Sequence, residues 1–536
     1  MTTIHFIKNK GTGLLLAALV LISLFTPSCS KFLDAKPNDV VIDKDFFEDF
    51  YDADYALRGA YAGLQPLVES MFVTGEMRAD LVKPGTGADL NLLQLAEHQI
   101  TDKNKYTNWN AYYDLINRAN YLIKNIPKVP NDPNNFTKAN ARQYVGEAYF
   151  LRSMAYFYLV KNFGPVPLVV KPTDDVNDIM HLPATAEDVV LDTVEANLNM
   201  ALSMVNNVIL IRQPNLNFSE SPDGKRTRAV TGNVNTLLAD VYLWRNKYEQ
   251  ANIAIQRIYT DGKYNFIGSG SSTAFFDLYT ALDQVSEPIF HINFNYNFRE
   301  TNSLMMLTSD DPAWGGQYMV APADDIATNW AQTLVKSGDT LRIQGDVRGF
   351  GASYAGSSPY YNNFNSTKKV IWKYLGTGKI APSILAINPP IRQPYRSEAI
   401  WQVYRYGELV LMKAEALNRM GDKAAAITQI NRIRSRSGAT DVIPVTVNST
   451  TEQIEDYIFK ERARELAFEG KRWFDLVRLA RRGRPEILKN AVKTRIGVAR
   501  YNELGLETKL SNPNYWYLPY NAEELRLNPN LKQKVF

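Results

Sequence analysis

Apolar positions recur at three- and four-residue spacing along most of this chain, the period of an amphipathic helix. From Phe46 to Leu67, the residues Phe46, Phe50, Ala53, Leu57 and Tyr61 fall on one helical face. Asn110 to Ile126 and Lys138 to Phe163 read as long, aromatic-rich helices. The second should stop at Gly164-Pro165, where glycine admits a left-handed backbone and proline has no N–H to extend the ladder. Thr185 to Val205 continues the pattern.

Two later stretches share an internal spacing. Between Asn235 and Ile258, Ala239 and Ala251 lie 12 apart, with Tyr242 at +3 and Ile255 at +16. Between Val410 and Ile433, Ala414 and Ala426 lie 12 apart, with Leu417 at +3 and Ile430 at +16. Those offsets match the tetratricopeptide repeat, whose antiparallel helices approach closely where small residues face each other. Asp261 to Tyr404 separates the two copies, so they are not tandem. That insertion is rich in Gly, Ser, Asn and Tyr and carries short β-type runs at Pro288 to Phe294 and Val370 to Tyr374. The expected fold is mainly α: tetratricopeptide-like helical pairs with a loop-rich insertion at about 261–404 carrying short strands. No Gly/Ser linker or charge block divides residues 46–536, which read as one domain.

The first 45 residues follow other rules. Lys8 and Lys10 precede an apolar run, Leu14 to Phe25, that is too short to span a bilayer, and Pro27-Ser28-Cys29 follows as a small-residue processing site. Residues 1–28 are expected to be a lipoprotein signal peptide, and 29–45 a polar tether lipidated at Cys29, the sole cysteine. Removing 1–28 leaves 58 basic against 56 acidic residues, a net charge of +2 with no global field for nucleic acid or an anionic bilayer. With no further cysteine, the body must be held by packing, and its 30 Tyr, 24 Phe and 8 Trp supply large apolar area with hydrogen-bonding ends. Trp109, Trp244, Trp401 and Trp473 fall within the helical pattern and are assigned to the core or helix seams.

Catalytic signatures are missing. The four histidines, His5, His98, His181 and His291, are scattered, and there is no HExxH or paired CxxC. Gly351 to Gly356 misses the nucleophile-elbow spacing by one residue, and Gly376-Thr377-Gly378-Lys379 lacks the first glycine of a phosphate loop. No cofactor and no metal are implied. In ERARELAFEGKRWFDLVRL, Glu461, Glu465 and Glu469 stack at four-residue spacing, followed by Arg472, Asp475 and Arg478. Glycosidase carboxylates must flank a substrate; carboxylates interleaved with arginines more simply make ion pairs that fix a helix against its neighbours.

Five blocks, taken together, resemble the SusD/RagB family of outer-membrane nutrient-binding lipoproteins: CSKFLDAKP (Cys29 to Pro37), GEAYFLRSMAYFYLVKNFGPVPLV (Gly146 to Val169), YRYGELVLMKAEALNRMG with INRIRSRSG (Tyr404 to Gly438), ERARELAFEGKRWFDLVRL (Glu461 to Leu479) and YLPYNAEELRLNPNL (Tyr517 to Leu531). The resemblance implies a non-enzymatic body tethered to the outer leaflet of the outer membrane. It also implies a SusC-like TonB-dependent transporter as partner, with the helical pairs facing the barrel and the inserted loops facing a glycan ligand. The RagB branch implies an alternative, an oligopeptide ligand. The blocks are scaffold and mark no ligand residues, so candidates come from the chemistry of sugars, which need aromatic platforms and polar side chains for hydroxyls. Trp314 and Tyr318 in DDPAWGGQYMVAP come first, because glycines and Asp-Pro leave their rings outside a helical core. Tyr360 and Tyr361 in SSPYYNNFN come next, with Arg78 and Asp80 of GEMRADLVKPG as polar candidates.

Overall fold

Asp49 opens the first helix: its carboxylate accepts the Tyr51 and Asp52 N–H groups while Asp52 reaches back to the Asp49 N–H, a reciprocal cap. A computed structural model describes residues 46–173, 181–207, 226–267, 278–279, 286–310, 312, 315–324, 370–375, 397–437, 439 and 442–536. The signal segment, Cys29 and its tether, Trp314, Tyr360 and Tyr361 lie outside the described residues.

α1 (Phe50–Ala62) and α2 (Leu67–Glu76) replace the single helix read over 46–67, because the chain turns at Gly63 to Pro66. β1 (Val82–Pro84), α3 (Leu90–Ala96) and α4 (Asn110–Asn125) follow. α5 (Lys138–Phe163) has the bounds its pattern predicts and ends at Gly164 with φ +69°. From Gln143 to Phe163 every residue but Tyr149 is buried, so α5 is the central helix, covered on all sides and carrying the buried charges Glu147, Arg152 and Lys161. It packs between α4 and α6 (Glu187–Met204).

The two repeat units form as hairpins. α7 (Thr231–Trp244) pairs with α8 (Tyr248–Asp261), and Ala239 and Ala251 are fully buried. The insertion contributes β2 (Pro288–Ile292), α9 (Leu304–Thr308), β3 (Val320–Pro322) and β4 (Trp401–Arg405). α10 (Tyr406–Arg419) and α11 (Lys423–Arg436) make the second hairpin, with Ala414 and Ala426 fully buried. α8 packs directly on α10, so the repeats are neighbours in space although separated in sequence. α12 (Thr451–Glu465), α13 (Arg472–Arg481), α14 (Pro485–Ile496), α15 (Val498–Glu503), α16 (Leu506–Ser511) and α17 (Ala522–Leu527) complete a mainly helical body.

The strands depart from the reading. β2 forms where expected, but Val370 to Tyr374 holds a short 3-10 turn, Trp372–Tyr374, in place of a strand. The antiparallel partner of β2 is β4, whose five residues are all buried; a strand covered on both faces has no alternation to reveal it. Trp401 is therefore buried as expected, but in a strand, whereas Trp109, Trp244 and Trp473 belong to helices or their caps.

Buried charge ties the insertion to the helices. Arg405, with no exposed surface, lies 2.7 Å from Glu287, 2.6 Å from Glu465 and 2.9 Å from Glu469. Lys373 from the 3-10 turn reaches Glu469 at 2.9 Å and donates to the Ala467 carbonyl at 2.6 Å. Arg462 and Arg478 both bind Asp475, each at 2.9 Å, and reach Glu408 and Glu415 on α10. In the acidic ladder of the sequence, Glu465 and Glu469 pair with Arg405 of another element, whereas Glu461 meets Arg464 of its own helix at 3.0 Å.

Candidate functional site

Two short loops meet at one edge of the body, and their contact is set by glycine. β1 and β3 pair antiparallel, with Val82 opposite Pro322 and Pro84 opposite Val320. Beyond the strands, Gly85 N–H donates to the Met319 carbonyl at 3.0 Å and Gly87 N–H to the Tyr318 carbonyl at 3.1 Å. A Cβ at Gly85 would lie 2.0 Å from the Tyr318 oxygen, and one at Gly87 would lie 1.8 Å from the Gln317 oxygen. Only glycine lets the backbones come this close.

The second loop is fixed from behind as well. Gln317, Tyr318 and Met319 donate to the Met306, Ser309 and Leu307 carbonyls at 2.9, 2.7 and 2.8 Å. Tyr318 itself adopts φ +47°, a left-handed backbone that costs a non-glycine residue free energy and persists only where its surroundings hold it. Its ring is half-buried. Burial and the nearby Asp310 and Asp324 carboxylates push its phenol up to about 12, so it stays protonated and able to donate across the neutral range. Asp310 Oδ1 is buried with no hydrogen-bond partner among the described residues. Beside the ring, Lys83 and Asp324 form an exposed pair at 2.5 Å. Asp89, just past Gly87, caps α3 and lies 3.7 Å from Lys105, which also meets Glu69 at 3.2 Å.

This is a small polar platform carrying one held aromatic ring, suited chemically to a hydroxyl-rich ligand. Sequence reading named Tyr318 and missed Lys83, Asp324, Asp89 and Lys105. The Gly85-x-Gly87 pair was the available signal, since it marks a close backbone approach. Among the described residues no three His, Cys, Asp or Glu side chains stand together as a metal site, and no helix is long and apolar enough to cross a membrane.

Arg78 and Asp80 require a correction: they are internal supports. Arg78 is fully buried, donating to the Thr74 and Trp516 carbonyls and Asn162 Oδ1 at 3.0 to 3.2 Å, with its guanidinium 4.8 Å from the Trp473 ring centre. Burial pulls its pKa down to about 9. Asp80 holds Arg472 through two hydrogen bonds of 2.7 and 2.8 Å. Burial opposes its ionisation, but Arg472 outweighs burial and keeps the carboxylate below its ordinary pKa. The turn's polar residues point into the fold because α2 must be joined to α13.

Residues 326–536 match the SusD family, and residues 31–221 match a family described as starch-binding, associating with the outer membrane. SusD-like protein P38 of Formosa agariphila is 27% identical over 88% of this chain and 92% of its own length. SusD-like protein P2 of the same organism is 26% identical over 96% and 97%. A SusD superfamily protein from Bacteroides thetaiotaomicron superposes with a TM-score of 0.70 at 23% identity, covering 91% of this chain and 98% of that one. A laminarin-binding SusD-like protein superposes at 0.65 with 21% identity, covering 91% and 99%. The structural likenesses carry the fold and the sequence matches carry the kinship: the chain is a SusD-like family protein.

Proposed function

We propose that this protein is a surface lipoprotein, anchored to the outer membrane through Cys29, that binds an oligosaccharide or polysaccharide and passes it to a SusC-like TonB-dependent transporter. It carries out no catalysis in this reading. The observation that carries it is Tyr318: a left-handed residue whose N–H donates to the Ser309 carbonyl and whose carbonyl accepts from the Gly87 N–H, beside the Lys83–Asp324 pair. A ring fixed at that cost suits stacking on a sugar face, and the fixed pose lowers the ordering cost of binding. A structural neighbour that binds laminarin and a matched family described as starch-binding both support a glucan-type ligand.

Trp314, four residues before Tyr318, joins the proposed site on sequence grounds, as do Tyr360 and Tyr361. Calorimetry of the parent against neutral gluco-oligosaccharides and against peptides of mixed sequence tests the reading. Binding of a neutral oligosaccharide, weakened by Tyr318→Ala, supports it; binding of peptides alone would replace the ligand class.

A further inference from the structure

A second concavity lies away from the Tyr318 platform, between the end of α1 and the turn that follows β2. Its volume is about 530 Å³, within the roughly 300–1,000 Å³ span of small-molecule sites. Arg58, Gln65 and Arg228 line one side, and Asn293, Phe298, Glu300 and Glu398 the other.

The turn that carries Phe298 is tightly closed. Phe298 N–H and Glu300 N–H both donate to the Asn295 carbonyl, at 2.9 and 3.1 Å, and Tyr296 N–H donates to Glu398 at 3.0 Å. Held this way, the Phe298 ring stands 74% exposed at the cavity wall. Asn293 Oδ1 and His291 Nδ1, both on lining residues, are buried without a hydrogen-bond partner among the described residues. Both atoms belong to one cavity wall, where a ligand's hydroxyls would reach them.

Charge narrows the ligand. Both arginines are already neutralised: Arg58 by Asp54 and Arg228 by Glu147, each at 2.6 Å. The Glu300 carboxylate has no ion pair among the described residues, and Glu398 accepts only a backbone N–H there. Among the described lining residues, an anionic ligand would meet two arginines already paired and two carboxylates. A ligand rich in hydroxyls would supply the donors those carboxylates and Asn293 need, and an apolar face for Phe298.

We propose that this cavity is a second, independent saccharide site, taking one or two units of a neutral glycan with Phe298 as the stacking ring and Asn293, Glu300 and Glu398 as hydroxyl acceptors. The proposal rests on the glycan-binding reading above and adds a second point of attachment. Two sites on one rigid body would raise the avidity for a long polysaccharide with no new contact at either.

Calorimetry on the full chain with a neutral gluco-oligosaccharide and with an oligogalacturonate decides it, with Phe298→Ala, Asn293→Leu and Tyr318→Ala made separately. The parent should show two binding events for the neutral sugar and none at this cavity for the uronate. Phe298→Ala and Asn293→Leu should each weaken one event by about tenfold and spare the event that Tyr318→Ala removes. Phe298 is exposed, so its variant keeps the parent melting temperature. A single event lost in Tyr318→Ala and untouched in Phe298→Ala overturns this inference and leaves the first reading standing. A parent that binds no glycan overturns both, and uronate binding lost in Phe298→Ala overturns the ligand class.

Discussion

Arg405 and Glu469 meet in the interior with neither charge open to solvent: the guanidinium Nε lies 3.2 and 3.0 Å from the two carboxylate oxygens, and Nη2 lies 2.9 Å from Oε1. One residue ends β4 and the other follows α12, so the contact joins the inserted sheet to the helical body. Glu287, next to β2, and Glu465 share the same guanidinium.

Arg405→Leu is therefore expected to be severe. It would leave Glu287, Glu465 and Glu469 buried, with Lys373 still paired to Glu469 and Arg436 to Glu465, and breaking a buried pair costs about 3–5 kcal/mol. Arg405→Lys should rescue little, because an ammonium cannot reproduce the forked contacts to three carboxylates. Urea unfolding measures both; a loss below about 1 kcal/mol for Arg405→Leu would show the cluster to be dispensable.

Acid should act on the same cluster. Burial would raise Glu469, but Arg405 and Lys373 overcome it and hold the carboxyl at about 2, against an ordinary 4.5. Its folded pKa is depressed, so its contribution is complete above pH 4.5 and is lost as pH falls from there through about 2. Glu469→Gln, less stable than the parent at pH 7, should close part of that gap as pH drops through this window. A gap that stays constant from pH 7 to 2.5 would contradict the assignment.

Glu76 predicts the opposite slope. It is fully buried, its Oε1 accepting the Gly470 and Lys471 N–H groups at 2.8 and 3.2 Å, and burial raises its pKa to about 8. Between pH 4.5 and 8 the folded chain keeps a proton that the unfolded chain releases, so this group's contribution is full below 4.5 and fades as pH rises through 8. Glu76→Gln keeps the carbonyl acceptor and cannot ionise. Relative to the parent, its urea midpoint should rise between pH 5 and pH 8.5. A parallel shift at both values would show that Glu76 does not titrate in this range.

The helical half of this architecture was legible in sequence because its signals are local and redundant. Lys138 to Phe163 carries its period and its Gly164 stop within one stretch, and Ala239, Ala251, Ala414 and Ala426 stand at the offsets that close helix packing demands. What escaped notice depends on partners far along the chain. β4 is buried on both faces, its polar Gln402 and Arg405 included, so no apolar run marks it, while β1 and β3 span only three residues each. Arg78 and Asp80 looked like exposed turn residues because nothing in GEMRADLVKPG foretells Trp516 or Arg472, hundreds of residues later. Tyr318 was readable from its glycine neighbours, but its two supporting glycines lie more than two hundred positions away.

Ala426→Trp tests the repeat packing. Ala426 is wholly buried in α11, and forcing an indole into that seam should cost about 1–3 kcal/mol by overpacking. A melting temperature equal to the parent's would remove Ala426 from the close contact.

Cys29→Ala tests the anchor. If lipid on Cys29 is the attachment, the variant should stay folded and appear in the soluble fraction of cells. Persistence in the membrane pellet after a high-salt wash, in cells lacking the transporter, would point to another attachment.

The ligand platform admits a test that separates the ring from its support. Tyr318→Ala removes the ring and should weaken a neutral oligosaccharide by about 1–2 kcal/mol, roughly ten- to thirty-fold, whereas Tyr318→Phe keeps the stacking face and should lose only what the hydroxyl donates. Trp314→Ala, at the neighbouring loop position proposed from sequence, should lose a similar amount with stability within about 0.5 kcal/mol of the parent. Gly87→Ala is the more telling variant. Its added methyl would stand 1.8 Å from the Gln317 oxygen, so the two loops must part and Tyr318 must lose its held pose, although position 87 supplies no side chain to a ligand. Weakened binding in Gly87→Ala, with the parent's unfolding midpoint nearly retained, would tie affinity to the docking of one loop on the other. Affinity unchanged in Gly87→Ala and Tyr318→Ala alike would remove this edge of the molecule from the site.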